Sequence, residues 1–296
     1  MTGFLNALAA CAGLVALYMT VWFALALVKR DNSVADIAWG LGFVLIAIFT
    51  FLRRGSLFLP LLITALVVTW GARLAVHILV RNRKRGEDPR YAEWRRRWGR
   101  SFVWRSYLQV FLLQGFFLLV ISAPIILINT GPAPHPSLDS GFPWWLTGLL
   151  VWLAGFFFEA VGDAQLARFR RDPANKGRIM DRGLWTYTRH PNYFGESLMW
   201  WGICLIALEV PYGWTTVVSP LLITFLLVKV SGIPLLEKRY AGNAAFQAYA
   251  RRTSAFVPWF PKNKVLLPNP GSPSLGLWLG ICLLLPGPPG NGSGLW

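Results

Sequence analysis

Phe58-Leu-Pro-Leu-Leu-Ile-Thr-Ala-Leu-Val-Val-Thr-Trp70-Gly-Ala-Arg73-Leu-Ala-Val-His77-Ile-Leu-Val80, followed at once by Arg81-Asn-Arg-Lys-Arg85, decides the fold. About 20 mostly apolar residues in a row are what an α-helix needs to cross a bilayer, and the block of cations after them is what stops it at the inner surface. Similar apolar runs fall at 4–28, 34–52, 105–129, 143–167, 194–210 and 213–236. The expectation is an all-α polytopic membrane protein of about seven transmembrane helices. Composition agrees, since 55% of the 296 residues are hydrophobic and 14% charged, against about a quarter charged in soluble proteins.

The net charge of +16 invites a nucleic-acid reading, but the Lys and Arg residues sit in the connections, so topology explains most of it and no nucleic-acid partner is expected. Segments 81–105 and 168–193 are densely basic, whereas 130–142 holds no Lys or Arg. With seven spans that pattern puts the N-terminus outside and the C-terminus in the cytosol. The first run lacks a cleavage signature and reads as a retained span. Residues 1–264 form one expected membrane domain, and 265–296 a Pro/Gly-rich tail whose apolar stretch Leu275–Leu285 is too short to cross. Cys11, Cys204 and Cys282 are scattered, so neither zinc nor a disulfide framework is expected. No βαβ pattern with a Gly-rich turn points to a soluble dinucleotide-binding domain, and no inverted halves point to a transporter.

Between the fifth and sixth expected spans lies Gly183-Leu-Trp-Thr-Tyr-Thr-Arg-His-Pro-Asn-Tyr-Phe-Gly-Glu196. Arginines grip phosphate bidentately, and Pro-Asn-Tyr opening a helix offers free N–H groups to an anion. A positive-inside loop with a helix cap accounts for the arginines but not for Arg189-His190-Pro191-Asn192-Tyr193 with Gly195. A second focus is Asp36, at the start of a span otherwise empty of charge, where an ionisable group marks a functional site unless it merely complements the helix dipole. Arg73, late in its span, needs a partner or a route to the surface.

The stretch 183–196 resembles the C-terminal signature shared by steroid 5α-reductases, sterol reductases and isoprenylcysteine carboxyl methyltransferases, most closely the bacterial branch of the first. The resemblance runs from about Asn32 to Pro261 and is strongest from Glu159 to Glu196. It implies an NADPH site at the cytosolic ends of the last spans, with Asp163, Arg170, Arg171, Arg178, Tyr187 and Asn192 as cofactor contacts. Glu237, in Leu236-Glu-Lys-Arg-Tyr240, takes the place of the family's cofactor-binding His, with Tyr240 beside it. Arg73, Asn82 and Arg85 join the same set. The family polarises a ketone with an acid on an early span, here Asp36, and a tyrosine on the next, a position occupied here by Trp70. An indole N–H donates a hydrogen bond but is no proton donor at neutral pH. Asp36 alone, a hydroxyl such as Thr69 or Tyr107, or a different substrate then has to answer for the departure.

The implied reaction is NADPH-dependent reduction of the C=C bond of a steroid-like α,β-unsaturated ketone, with protonated Asp36 donating to the carbonyl. The lipophilic substrate enters from the bilayer, and the enzyme works as a monomer in the inner membrane if the source is prokaryotic. The alternative is an S-adenosylmethionine-dependent methyltransferase, which needs no acid on an early span and binds a cofactor without phosphate.

Overall fold

The computed structural model describes residues 2–53, 58–83, 86–131 and 142–262. Arg85 and the 265–296 tail lie outside the described residues. Those described fold into helices joined by turns, and six of the helices are long and apolar enough to cross a membrane. They are α1 (Thr2–Lys29), α2 (Val34–Leu52), α3 (Phe58–Asn82), α4 (Pro89–Ile121), α6 (Trp144–Arg171) and α8 (Gly213–Arg239). Between and after these come α5 (Ala123–Thr130), α7 (Pro191–Ala207) and the amphipathic α9 (Ala244–Arg252).

Two expectations change. The basic segment 81–105 is not only a connection: Asp88 caps a helix that begins at Pro89 and continues into the fourth span. The capping is local chemistry, because the Asp88 carboxylate accepts from the Arg90 amide at 2.8 Å and Pro89 at the first position has no N–H to satisfy. The apolar run 105–129 is in turn divided at Ser122, where α4 ends and Ala123-Pro124 opens α5.

The sixth expected run, 194–210, falls on α7, whose 17 residues give about 25 Å of helix, less than a hydrocarbon core of about 30 Å. It nevertheless lies antiparallel along α6. Pro191 packs on Gly162 at one end, and at the other the Trp145 amide donates to Glu209 just beyond α7, at 2.9 Å. Glycines set the closeness of this pair. A Cβ on Gly148 would lie 2.5 Å from the Gly202 carbonyl oxygen, and one on Gly155 2.6 Å from that of Gly195. Small residues at seven-residue spacing let backbones touch where lipid tails give apolar side chains no reason to prefer one another.

α4 and α8 are less regular. Residues Tyr107–Leu112 and Leu226–Val230 are wound as π-helix, and Ser231-Gly232 separates the latter from a last helical stretch beginning at Ile233. The apolar centre is aromatic, with Phe43, Trp70 and Trp200 mutually packed at ring separations of 4.7–5.5 Å.

Candidate functional site

Two cavities open toward the basic end of the bundle. The first, about 460 Å³, is framed by the last turns of α6, the 172–190 connection, the start of α7, the end of α8 and α9. Arg170, Arg171, Arg178, Asn192, Glu237 and Tyr240 all line it. The connection holds its shape because it is tied down on both sides. The Trp185 indole donates to the Gly162 carbonyl at 3.1 Å, the Leu184 amide to Gln165 Oε1 at 3.0 Å, and Tyr249 Oη to the Trp185 carbonyl at 2.5 Å. Burial raises the Tyr249 phenol's pKa, which keeps that proton on the donor.

Arg189 is a clamp. It donates to both oxygens of Glu237 (2.8 and 3.1 Å) and to the Ala250 and Thr253 carbonyls, each at 2.8 Å. His190 Nε2 lies 3.0 Å from the same carboxylate. Glu237 is thereby fixed at the cavity wall by the Arg189 guanidinium and the His190 ring beside it. Asn192 lines the same wall, and its Oδ1 is buried without a hydrogen-bond partner among the described residues.

The second cavity, about 350 Å³, is mostly apolar and is enclosed by residues of α2, α3, α4, α7 and α8. Its polar end holds Asp36, whose carboxylate accepts from Tyr91 Oη at 2.8 Å and from Arg90 Nη2 at 2.8 Å. Arg90 also reaches Asp88, and Arg239 from the end of α8 reaches Asp88 at 3.2 Å. Partial burial would raise the Asp88 carboxyl, but the Arg90 amide and the two guanidiniums outweigh it and hold the pKa below the usual carboxylate range. Glu196, Tyr193, Trp39, Gln109, Gln114 and Ser231 add to the polar lining.

The cavities are neighbours. His190 lines the first, Tyr193 lines the second, and their rings stack at 5.5 Å and 12°. Leu235 and Leu236 likewise face opposite sides.

The remaining expected residues fall elsewhere. Arg73 donates to Asp163 at 3.0 Å and to Glu159, while the Trp70 indole donates to Glu159 at 3.0 Å. This buried network ties α3 to α6 and lines neither cavity. Trp70, 2% exposed, therefore stands away from the lining around Asp36, and Arg73 has found its partner inside the protein. His77 Nε2 lies 3.9 Å from Asp163 at the edge of the same group. Asn82 accepts from Arg81 at 3.3 Å on the exposed end of α3. Tyr187 is 43% exposed, with its carbonyl accepting from the Trp259 amide and its ring against Phe260, so it braces the C-terminal segment. Asp36 does sit in a cavity, where its oxygens accept from Tyr91 and Arg90. Tyr91, which sequence reasoning passed over inside an arginine-rich connection, brings its O–H to the same polar end. Its signal was there: Pro89-Arg-Tyr-Ala-Glu-Trp94 after Asp88 is a capped amphipathic start rather than a loop.

The fold and these features define an integral membrane protein in which a cation-rimmed cavity at one end of the bundle adjoins an apolar one within it. The chain belongs to the family described as protein of unknown function (DUF1295), whose model matches residues 22–253. It is 31% identical over 71 residues to the "Probable O-methyltransferase ustE" of Ustilaginoidea virens, covering 24% of this chain and 25% of that protein. It is also 31% identical over 67 residues to the "Steroid 5-alpha-reductase DET2" of Arabidopsis thaliana, covering 22% of this chain and 25% of that one. The chain thus aligns with about a quarter of the length of each curated relative. No solved structure gives a significant match.

Proposed function

We propose that this chain is an NADPH-dependent membrane reductase acting on the C=C bond of an α,β-unsaturated ketone, steroid-like in shape. The observation that carries the reading is the shared His190–Tyr193 wall, which sets a cavity suited to a phosphorylated cofactor against one suited to a flat apolar ketone. The partial likeness to a steroid 5α-reductase supports it.

The residues of the first cavity fit the cofactor. Arg171 and Arg178 with Arg170 match the charge of a diphosphate and a 2′-phosphate, and Asn192 Oδ1 matches a carboxamide N–H. When bound, NADPH supplies the hydride equivalent of the reduction. The rest is work for the protein. Tyr91 turns its O–H from Asp36 to the ketone oxygen, a rotation about the C–O bond alone. Asp36, paired with Arg90, holds the phenol until the ketone arrives, and keeps its bond to Arg90 once the O–H has turned away. Charge gathering on the carbonyl oxygen then meets a donor already aimed at it, in a cavity whose apolar walls strengthen that interaction. The α-carbon takes its proton from water or from a nearby acid, and Glu196 is the acid on that cavity's wall.

The likeness to a probable O-methyltransferase supports a second reading, methyl transfer from S-adenosylmethionine. That donor carries no phosphate, so it gives Arg171 and Arg178 no diphosphate or 2′-phosphate to grip. Purified protein in detergent, melted with NADPH and with S-adenosylmethionine in separate samples, tests the choice. A higher melting temperature with NADPH is expected. Stabilisation by the methyl donor alone would sink the reductase.

A further inference from the structure

The chain that follows α9 makes a closed loop with an apolar tip and a basic base. The Lys262 amide donates to the Arg252 carbonyl at 2.9 Å, so residues 252–262 leave and return at one place. Between those ends lies Phe256-Val-Pro-Trp-Phe260, and at them Arg251, Arg252 and Lys262. Arg252 pairs with Asp181, whereas Arg251 and Lys262 are exposed and meet no carboxylate among the described residues.

The tip is held open and not left loose. The Trp259 amide donates to the Tyr187 carbonyl at 3.0 Å, Thr188 Oγ1 to the Phe256 carbonyl at 2.8 Å, and the Arg189 amide to the Ser254 carbonyl at 2.8 Å. On this pinned backbone Val257, Trp259 and Phe260 are 57%, 71% and 79% exposed. Three large apolar side chains side by side, with no freedom to fold inward, are costly in water and call for a cover.

The level of the loop along the bundle says what covers it. The Phe256 ring packs on Phe194, near the start of α7, at 5.8 Å, and Phe194 packs on Phe158 of α6 at 5.1 Å. Pro191 and Trp185, on either side of the pinned Tyr187–Arg189 stretch, both meet Gly162. Gly162 comes six residues, about 9 Å of helix, before Arg168, the first cation of α6. The loop is therefore level with the last apolar turns of α6, on the membrane side of its arginines. A positive-inside bias accounts for Arg251 and Lys262 but not for the apolar side chains fixed in the open beside them. Rings at the acyl boundary with cations at the phosphates are the chemistry of a segment that lies in the headgroup layer.

We propose that residues 252–262 are a lipid-binding loop, which seats Val257, Trp259 and Phe260 in the leaflet at the basic end of the bundle and pairs Arg251 and Lys262 with anionic phospholipid headgroups. The loop continues α9, and Arg189 donates to the Ala250 and Thr253 carbonyls at their junction. The bilayer thus steadies the wall that α9 gives to the first cavity.

The test is a nitroxide spin label on Phe260→Cys, in a Cys282→Ser background of the full-length protein, in nanodiscs of phosphatidylcholine with and without phosphatidylglycerol. Cys11 and Cys204 are buried and stay unlabelled. Collisions with oxygen, which concentrates among acyl chains, are expected to exceed those with a neutral water-soluble nickel chelate. Their ratio is expected to rise about twofold when phosphatidylglycerol is added. Arg251→Gln with Lys262→Gln is expected to abolish that rise and leave the ratio in phosphatidylcholine unchanged. The same label on Val257→Cys repeats the measurement where a change at position 260 distorts the loop. A label met mainly by the nickel chelate in both lipids overturns the proposal and leaves the tip to a soluble protein. A ratio indifferent to phosphatidylglycerol, or a rise that survives the double variant, overturns it as well. None of these readouts involves NADPH or turnover, so the loop and the reductase stand or fall separately.

Discussion

The two cavities differ in how their walls are drawn from the chain. Most of the cation-rimmed one comes from a single stretch, Leu166 to Asn192, closed by residues of α8 and α9. The apolar one takes residues from five helices, with Asp36 at one end of the sequence and Leu235 far along it. A site concentrated in one loop announces itself in sequence through its arginines and its Pro-Asn-Tyr. One assembled from many spans leaves only isolated polar residues, each of which also has an innocent explanation. In the proposed reaction the same contrast runs through function, with charge for grip assigned to the first cavity and one donor for chemistry to the second.

The sharpest way to break this comparison is through the network that belongs to neither cavity. Arg73→Ala leaves Glu159 and Asp163 as buried carboxylates without their cation and is expected to cost about 3–5 kcal/mol, read as a large fall in melting temperature. If the variant instead keeps its stability and loses only NADPH affinity, Arg73 belongs to the first cavity after all. Next in size is Tyr91→Phe, which removes the donor and leaves the packing. Its kcat should drop by about 10²–10³ with the NADPH-induced rise in melting temperature intact. Unchanged kcat would strip the second cavity of its chemical role.

Arg178→Ala addresses the other side, with KM for NADPH rising about tenfold and kcat within about twofold of wild type. An equal loss in both parameters would mean that grip and chemistry are not divided between the cavities. The smallest effect concerns Asp88, which pairs with Arg90 of the second cavity and with Arg239 at the end of α8. Its depressed pKa means that its contribution to stability is complete above the unfolded carboxyl value of about 3.9 and is lost as pH falls through the lower folded value. Asp88→Asn keeps the helix cap and should flatten the fall in melting temperature below about pH 4, by no more than about 1 kcal/mol for a partly exposed group. An acid profile identical to wild type would free Asp88 from any part in holding Arg90 and Arg239.

Hydropathy and the distribution of Arg and Lys were enough to expect an all-helical membrane protein and to place the ends of α2, α3 and α6 within a few residues. They failed where local chemistry overrides hydropathy. The capped helix at Pro89 is too polar to look like part of a span, and the division at Ser122 is hidden inside an unbroken apolar run. In the site, Arg170, Arg171, Arg178, Asn192, Glu237 and Tyr240 come together around one cavity, because charge and glycine punctuation are visible one residue at a time. Tyr91, Glu196 and Gln114 were not read as site residues, since their meaning depends on which helix faces which. Trp70 and Arg73 were assigned through the family resemblance, which does not reveal that Glu159 and Asp163 stand opposite them.

The glycine contacts between α6 and α7 have a mechanical consequence. With backbones seated directly on one another at Gly148–Gly202 and Gly155–Gly195, neither helix can slide or roll without a carbonyl colliding with its neighbour. The pair behaves as a stiff spine, and the arginine loop between them hangs from two fixed posts. In the proposed reaction, movement that admits a bulky molecule to the apolar cavity falls to the other helices that line it, of which α4 and α8 carry the π-helical turns.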